Sequence, residues 1–307
     1  MHLPQAAEDL RLPTCSVIIA TLDRVTALLR VLECLELQTV QPAEVVLSVA
    51  GDATAIEAAL AARSGTLQVR VTRSPVKSSA RQRNQAAAGV VGEVLAFLDD
   101  DIEFGAELFE RVLRHFAVAA ADSPGGLSPR ISNQPRKGPG SLVRAYYRLQ
   151  AGYADRDYGG RLFGPGINCF PVFRESGPEM VPVEWLPSTC LFLRAGDFHR
   201  HQFPEFEGYS FAEDLHLTAR IAREAPLFFL REPSIIHHSQ SSEFKADVAA
   251  LTSGKLHNMA RVAREVMQVD GFRWRWELHR LFLTAVLLLR RPARWREELR
   301  GVWRAKP

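Results

Sequence analysis

Residues 93–101 read EVLAFLDDD, a short apolar run that ends in three consecutive carboxylates. The run follows Gly92 and has the length of a buried β-strand, so its charged end is expected to project into a crevice at a sheet edge. Side chains alternate along an extended backbone. Asp99 and Asp101 are therefore predicted to lie on one side of the strand, and Asp100 on the other.

This acidic run predicts a metal site. Like charges on neighbouring residues repel one another, and a divalent cation with oxygen ligands relieves the repulsion. The alternative is structural, because aspartates before an apolar helix over residues 104–116 would cap that helix and complement its dipole. One acid suffices for a cap, so three in a row favour a metal or phosphate site.

The segments before the acidic run alternate between strand and helix patterns. Such alternation predicts parallel βαβ units in a doubly wound α/β sheet, in which ligands bind at the carboxyl ends of the strands. Thr21, Asp23 and Arg24 follow the first strand, so they are expected on the face where the three aspartates emerge. The predicted strands cover residues 14–20, 45–49 and 67–71, and the predicted helices cover residues 27–35 and 53–63.

Residues 78–84, which precede the acidic run, read SSARQRN and predict the polar start of a helix. Free N–H groups, the helix dipole and two arginines suit phosphate, although an ordinary solvated helix start has the same composition. No Gly-x-Gly-x-x-Gly follows the first strand, and no Gly-x-x-x-x-Gly-Lys-Ser/Thr occurs. Both absences argue against a dinucleotide oxidoreductase and a P-loop enzyme.

Two further candidates lie in the second half of the chain. Asp214 stands at a predicted helix start, where it could take a proton from an acceptor hydroxyl, or where Ser210, Glu213 and Asp214 merely cap the helix. His237 and His238 end a short apolar strand. Imidazole suits Mn²⁺-like ions, and only one of two adjacent side chains can point inward.

Positive charge is concentrated at the C-terminal end. The whole chain carries +3, which is unremarkable, and no nucleic-acid partner is expected. Residues 255–307 hold 13 Lys/Arg and 5 Asp/Glu, a charge of +8, so residues 1–254 carry −5. This tail is predicted to be helical with breaks at residues 270–271 and 291–292, and it holds four of the five tryptophans.

The tail contains an apolar run, residues 281–289, that is too short to cross a bilayer. Its basic flanks and tryptophans predict that residues 272–307 lie on an anionic membrane surface. The alternative is a helical hairpin packed on the rest of the chain, and both can hold. Residues 1–13 lack a signal-peptide core, and the four cysteines show no Cys-x-x-Cys spacing, so a cytoplasmic location is expected.

In this order the segments resemble the family 2 glycosyltransferases over residues 15–241. The resemblance implies an α/β fold of the GT-A type: a doubly wound, mostly parallel sheet with flanking helices and a C-terminal helical extension. The matching pieces are SVIIATLDR over 16–24, Arg83-Asn84, FLDDD over 97–101, EWLP over 184–187, Glu207-Gly208-Tyr209 with Glu213-Asp214, and His237-His238.

The resemblance also implies residue roles, and with them inversion at the anomeric carbon. Asp214 resembles the catalytic base, and Trp185 and Glu213 would lie on the acceptor side. Asp101 and Asp99, with His237 or His238, would hold Mg²⁺ or Mn²⁺. The nucleotide-sugar donor would meet Thr21, Asp23, Arg24, Asp52, Arg83, Asn84, Asp99 and Asp100.

The chain departs from the family pattern after the second strand. Residues 48–51 read SVAG where acidic residues help to read a uracil base, and only the displaced Asp52 could substitute. The donor base therefore stays open. The expected organisation is an N-terminal extension over 1–13, a GT-A domain over 14–245 with nucleotide-binding (14–101) and acceptor (102–245) halves, and the basic tail over 246–307.

The function expected from these residues is metal-dependent, inverting transfer of a sugar to a glycan or lipid-linked acceptor. One alternative is a nucleotidyltransferase, which also uses a doubly wound sheet and a carboxylate-held metal, but the glycine-rich basic loop expected after its first strand is missing. The other is a non-catalytic nucleotide-sugar-binding or membrane scaffold subunit, which the altered second strand suggests.

Overall fold

A computed structural model describes residues 11–117, 123–174, 176–206, 211–239 and 247–307. The first half of the chain alternates strands and helices, as the sequence pattern predicts. In chain order its elements are β1 Cys15–Thr21, α1 Val25–Glu36, β2 Glu44–Ala50, α2 Thr54–Ala61, β3 Val69–Ser74, α3 Ser79–Ala87 and β4 Val94–Leu98.

The second half has shorter strands and ends in helices. The helix expected over residues 104–116 begins only at Leu108, because residues 102–104 pair with a later strand instead. The elements are β5 Ile102–Phe104, α4 Leu108–Phe116, β6 Gly126–Ile131, α5 Ser141–Ala151, β7 Leu162–Phe163, β8 Ile167–Asn168, β9 Met180–Val183, β10 Cys190–Arg194, α6 Ala195–His201, α7 Glu213–Ile221, β11 Leu227–His237, α8 Val248–Arg261, a π-helical turn Val262–Val266, α9 Phe272–Arg290 and α10 Trp295–Arg304.

Nine of these strands form one sheet in the order β3-β2-β1-β4-β10-β6-β11-β5, with β9 also paired to β11. Neighbours among β3, β2, β1 and β4 are parallel, and β10 is antiparallel to both β4 and β6. Strand β11 is parallel to β6. Six of the nine strands therefore run in one direction, namely β1, β2, β3, β4, β6 and β11. The predicted α/β class with a mostly parallel sheet is confirmed.

Both faces of the sheet are covered, which explains the continuous apolar run of β4. Val94, Ala96 and Leu98 of β4 belong to a core shared with α1 and α4, and Leu95 and Phe97 belong to a core shared with α3, α6 and α7. All five side chains are buried because neighbouring residues of a strand face opposite sides. Helices α3 and α7, which carry Arg83 and Asp214, therefore lie on the same face.

The C-terminal helices pack against the sheet domain. Leu256 of α8, Trp276 of α9 and Val302 of α10 share a buried cluster with Trp185 and with Leu215 of α7. On α5, the ring of Tyr146 stacks on Phe282 with 3.7 Å between ring centroids. This packing matches the helical-hairpin alternative. Within the described ranges, no helix combines the length and the apolar character that crossing a bilayer requires.

The tail interface contains a buried histidine that predicts how stability depends on pH. His279 is 7% exposed, and its Nδ1 lies 2.6 Å from the hydroxyl of Tyr146. Burial lowers the pKa of His279 from 6.5 to about 4. Between these two pH values the unfolded state binds more protons than the folded state, so stability is lost as the pH falls from 6.5 towards 4.

We expect His279→Gln to remove this part of the pH dependence. Urea unfolding of the parent protein and the variant at pH 7.5 and pH 4.5 measures it. The parent should lose about 2 to 3 kcal/mol more than the variant on acidification, because one pKa unit corresponds to about 1.4 kcal/mol. Equal losses in both proteins would contradict the assignment.

Candidate active site

Two of the three adjacent aspartates are held by one arginine. Asp100 accepts hydrogen bonds from Thr21 Oγ1 at 2.6 Å and from Arg24 Nη1 at 3.0 Å. The same Nη1 lies 3.2 Å from Asp101 Oδ2. Burial raises the pKa of Asp100 to about 6, although Thr21 and Arg24 oppose the shift. The ends of β1 and β4 are thus joined by a buried, charged contact.

The third aspartate, Asp99, is paired with α3. Its Oδ1 accepts a hydrogen bond from Arg83 Nη2 at 2.8 Å, and Arg83 Nη1 lies 3.4 Å from Glu213 Oε1. Arg83 is only 4% exposed, so this cation is committed to two carboxylates. Burial raises the pKa of Asp99, and Arg83 opposes that shift.

A candidate metal centre forms where β4 and β11 end. Carboxylate oxygens of Asp99 and Asp101 and one imidazole nitrogen of His237 lie within 4.8 Å of one another. His237 Nε2 is 3.1 Å from Asp101 Oδ1. Ile102 pairs with His237 across the β5–β11 ladder, which brings the aspartates beside this histidine. Two carboxylates and an imidazole are a donor set that fits Mn²⁺ or Mg²⁺.

The neighbouring histidine takes a different position. His238 Nε2 lies 3.3 Å from Glu103 Oε2, and the side chain of His238 is exposed. Its backbone N–H donates to the carbonyl of Asp101 at 2.9 Å. Of the two histidines predicted as alternatives, the structure brings His237 to the aspartates and directs His238 to Glu103.

Asp214 is the second residue of α7, and backbone N–H groups hold its carboxylate. Oδ1 accepts from the N–H of Leu215 at 2.7 Å, and Oδ2 accepts from the N–H of Ser188 at 3.2 Å. Burial raises the pKa of Asp214, and these two donors oppose the shift. Ala212 at the start of the helix has φ +66°, a left-handed conformation that is costly for a non-glycine residue and typical of functional sites.

Two short connections join the start of α7, at Glu213 and Asp214, to the metal centre. Ser188 donates to Asp214, and the carbonyl of the next residue, Thr189, accepts from the backbone N–H of Asp99 at 2.9 Å. Arg83 forms the second connection, because it contacts both Asp99 and Glu213. Burial, reinforced by the charge of Asp214, raises the pKa of Glu213 to about 8. One site therefore contains a candidate base and a candidate metal centre.

Comparison with known proteins identifies the family. The sequence description of glycosyl transferase family 2 matches residues 16–174, which is more than half of the chain. The chain belongs to glycosyl transferase family 2. The predicted family, and with it the predicted enzyme class, is confirmed. Among curated protein sequences, none matches this glycosyltransferase.

Solved structures of other glycosyltransferases share the fold. GalNAc-T7 with UDP, GalNAc and Mn²⁺ superposes with a TM-score of 0.58 at 15% identity, covering 82% of this chain and 48% of that chain. Residues 1–349 of S. aureus TarS in complex with UDP-GlcNAc give 0.55 at 14% identity, covering 94% and 79%. The mannosyltransferase PcManGT from Pyrobaculum calidifontis, with GDP-Man and Mn²⁺, gives 0.54 at 14% identity, covering 96% and 86%. These similarities confirm the predicted GT-A type of fold.

Several residues predicted to meet the donor have structural partners in this family 2 glycosyltransferase. Asp52 accepts from the N–H and the hydroxyl of Thr54, the first residue of α2, at 2.9 and 2.6 Å. Asn84 pairs with the backbone of Phe203 through both amide atoms, at 2.8 and 3.0 Å. Asp23 is exposed after β1. The local pattern did not reveal the partners of Asp52 and Asn84.

The two residues predicted on the acceptor side are buried. Trp185 is 2% exposed and packs edge-on against Phe170 at 4.8 Å between ring centroids, so its ring is part of the buried core. Glu213 precedes Asp214 in α7, and its carboxylate accepts hydrogen bonds from Arg83 and Ser79. An apolar ring beside a strand is stabilised by burial, which explains the position of Trp185.

The sequence pattern did not indicate the contacts that Gln82 and Gln134 make in the site. Gln82 donates to the carbonyls of Thr21 and Ser48 at 2.9 and 2.6 Å, and so joins the ends of β1 and β2. Gln134 contacts His237 from a segment 103 residues away in sequence. The segment Glu207-Gly208-Tyr209, with Ser210, lies outside the described residues, as do residues 1–10 and 240–246.

Proposed function

We propose that this chain is a metal-dependent, inverting glycosyltransferase that moves a sugar from a nucleotide-diphosphate donor to an acceptor hydroxyl. Two connections between Asp99 and the start of α7 carry the proposal: residues 188–189 link Asp99 to Asp214, and Arg83 links Asp99 to Glu213, the residue before Asp214. A base and a metal centre that share one site are what this reaction requires.

Asp99, Asp101 and His237 would hold Mg²⁺ or Mn²⁺, and the bound ion would neutralise charge that develops on the departing diphosphate. Thr21 and Arg24 hold Asp100 at the end of β1, on the side of the site where the nucleotide is expected. Arg24 also contacts Asp101, so the proposed nucleotide pocket and the metal centre share a cation.

Asp214 takes the proton from the acceptor hydroxyl as the hydroxyl oxygen attacks the anomeric carbon. The hydrogen bonds from Leu215 and Ser188 orient the carboxylate. Its raised pKa makes it a stronger base than an ordinary aspartate. Attack from the face opposite the leaving diphosphate inverts the configuration at that carbon.

The donor base is tested with a panel of nucleotide sugars. The related structures contain UDP with GalNAc, UDP-GlcNAc and GDP-Man, so uridine and guanosine donors are the first two arms. With Mn²⁺ present, one donor should raise the melting temperature and undergo slow hydrolysis, and EDTA should abolish both effects. If no donor raises the melting temperature and none is hydrolysed, the proposal fails.

We further propose peripheral contact with an anionic membrane at the cytoplasmic face, with a glycan or lipid-linked acceptor. An apolar stripe on α9 supports the contact: Trp274, Leu281 and Leu288 are exposed and repeat every seven residues, which places them on one side of the helix. Leu289 is 85% exposed beside them. The opposite side of α9 buries Trp276 in the tail core.

Basic residues border this stripe. Arg290 and Arg291 are exposed at the end of α9, immediately after Leu289. An exposed apolar stripe next to arginines matches helices that lie in the headgroup region of anionic leaflets.

Substituting both Leu288 and Leu289 by glutamate tests the membrane contact without removing a core residue. Flotation with vesicles containing phosphatidylglycerol should show binding weaker by on the order of tenfold or more. Leu37→Glu is the matched control, because Leu37 is 72% exposed at the end of α1, outside the tail. Equal binding by the double variant and the control would contradict the proposal.

A further inference from the structure

An arginine- and aromatic-lined groove begins one side chain away from the candidate metal centre. Gln134 Nε2 lies 3.4 Å from His237 Nδ1, and Gln134 Oε1 accepts from Arg136 Nη2 at 3.0 Å. Asn133 bonds to the backbone of His237 at both of its amide atoms, at 2.9 and 3.1 Å. The segment after β6 is thus tied to the end of β11, which holds Arg136 close to the metal centre.

The first part of this groove is a cavity of about 110 Å³ with an aromatic floor. Phe170, Phe173 and Phe229 form the floor. The guanidinium of Arg136 lies 4.4 Å from the ring centroid of Phe170, and that of Arg130 lies 5.8 Å from the centroid of Phe173. Contact with aromatic rings holds the guanidinium groups in place and leaves N–H donors for a ligand.

Positive charge in this cavity is only partly neutralised. Arg130 pairs with Glu232 at 2.6 Å, and its Nε is buried with no hydrogen-bond partner among the described residues. Arg136 contacts the neutral amide of Gln134 and, within the described ranges, forms no ion pair. Arginine N–H donors that face a cavity bind carboxylate or phosphate oxygens well, because both form charge-assisted hydrogen bonds.

A second part extends the groove and keeps its charge. It measures about 280 Å³, shares Pro171 and Phe173 with the first cavity, and is lined by Arg156, Arg174 and a single acid, Asp157. Arg174 pairs with Asp157 at 3.5 Å, so Arg156 carries the net positive charge of this part. Pockets for drug-sized ligands measure roughly 300–1,000 Å³, so the first cavity suits one small group and the second has room for more of the same molecule.

The groove lies on the acceptor side of the proposed reaction. The sheet order places β1, with Thr21 and its nucleotide end, on the far side of β4 from β6 and β11, which border the groove. Phe170 on its floor packs against Trp185, and the next residue, Leu186, bonds to Thr218 of α7, the helix that carries Asp214. The groove and the candidate base therefore share one face of the sheet.

We propose that this groove binds an anionic group, a carboxylate or a phosphate, on the acceptor next to the hydroxyl that receives the sugar. The inference rests on the proposed transferase function and specifies its acceptor as one that carries a carboxylate or a phosphate. Arg136 supplies the main N–H donors, and Arg130 with Phe170 completes the subsite.

Small probes test the subsite on the full chain loaded with Mn²⁺ and nucleoside diphosphate. Titration calorimetry compares methyl glucuronide, glycerol phosphate and the neutral methyl glucoside. At least one anionic probe should bind more tightly than the glucoside, and Arg136→Gln should weaken that binding by on the order of tenfold, with partial recovery in Arg136→Lys. Tighter binding of methyl glucuronide would show that the subsite recognises a carboxylate, and tighter binding of glycerol phosphate would show that it recognises a phosphate.

Arg114→Gln is the matched control, since Arg114 is an exposed arginine of α4 that pairs with Glu110 of its own helix. Equal affinity for charged and neutral probes, or equal losses in Arg136→Gln and Arg114→Gln, would overturn the subsite. The thermal shift caused by the donor should be the same in the parent protein and in the Arg136 and Arg114 variants. If the parent lacks that shift, the transferase proposal fails, and the probe affinities still report on the groove.

Discussion

Asp214→Asn is expected to lower sugar transfer by about 10²–10⁴-fold, because a positioned base contributes that much to the rate. Asparagine has nearly the same shape, and its single oxygen can still accept the hydrogen bond from the N–H of Leu215 at the helix start, so the fold and α7 should persist although the hydrogen bond from Ser188 is lost. Binding of the nucleotide-sugar donor should stay within about threefold of the parent, a change of less than 1 kcal/mol. Initial rates and donor thermal shifts measure the two effects separately.

Asp247→Asn is the matched control, because Asp247 caps α8 through the N–H of Ala250 at 2.9 Å and asparagine caps a helix equally well. Its transfer rate should equal that of the parent. Full activity in Asp214→Asn would remove the base from the mechanism. An in-cell phenotype that survives Asp214→Asn would point to the non-catalytic, nucleotide-sugar-binding alternative.

Asp101→Asn is expected to weaken metal-dependent donor binding and to lower transfer by about 10²–10³-fold, because the metal centre loses one of its two carboxylates. The fold should tolerate the change, since a buried negative charge beside Asp100 disappears while Arg24 keeps its pair with Asp100. A Mn²⁺ titration with nucleoside diphosphate measures the loss, which excess Mn²⁺ should partly restore.

The adjacent histidines provide an internal comparison. His237→Gln should weaken Mn²⁺-dependent donor binding in the same direction as Asp101→Asn, because His237 lies within the metal centre. His238→Gln should leave that binding unchanged, since the His238 imidazole lies beside Glu103. Equal effects of the two histidine substitutions would show that the metal is held in another way.

Local patterns were sufficient for much of the fold. The apolar run of β4 and the helix–strand alternation before it predicted the parallel half of the sheet, and the breaks at residues 270–271 and 291–292 separate α8, α9 and α10. The third strand lies at residues 69–74 rather than 67–71. The start of α4 also differed, because β5 gains hydrogen bonds from β11, a strand more than 100 residues away. Pairing partners at that distance leave no trace in a local pattern.

Some features of the candidate site could likewise be predicted from local sequence, and others depended on the fold. Strand alternation predicted that Asp99 and Asp101 lie together, and the helix start predicted Asp214 as a candidate base. Nothing local distinguished His237 from His238, because that choice depends on the register between β5 and β11. The buried position of Trp185 likewise depends on Phe170 and on the tail helices that cover it.

Periodicity and charge along the chain were enough to predict a doubly wound α/β sheet, an acidic edge suited to a metal ion and a basic helical tail, because burial and charge repulsion act on residues close in sequence. The transferase assignment came from the resemblance of these segments to a known family. Three features required the folded chain: the connections from Asp99 to the start of α7, the imidazole that joins the aspartates, and the arginine groove behind Gln134. Each depends on contacts between segments far apart in sequence, and only the packing of the sheet and its helices brings such segments together.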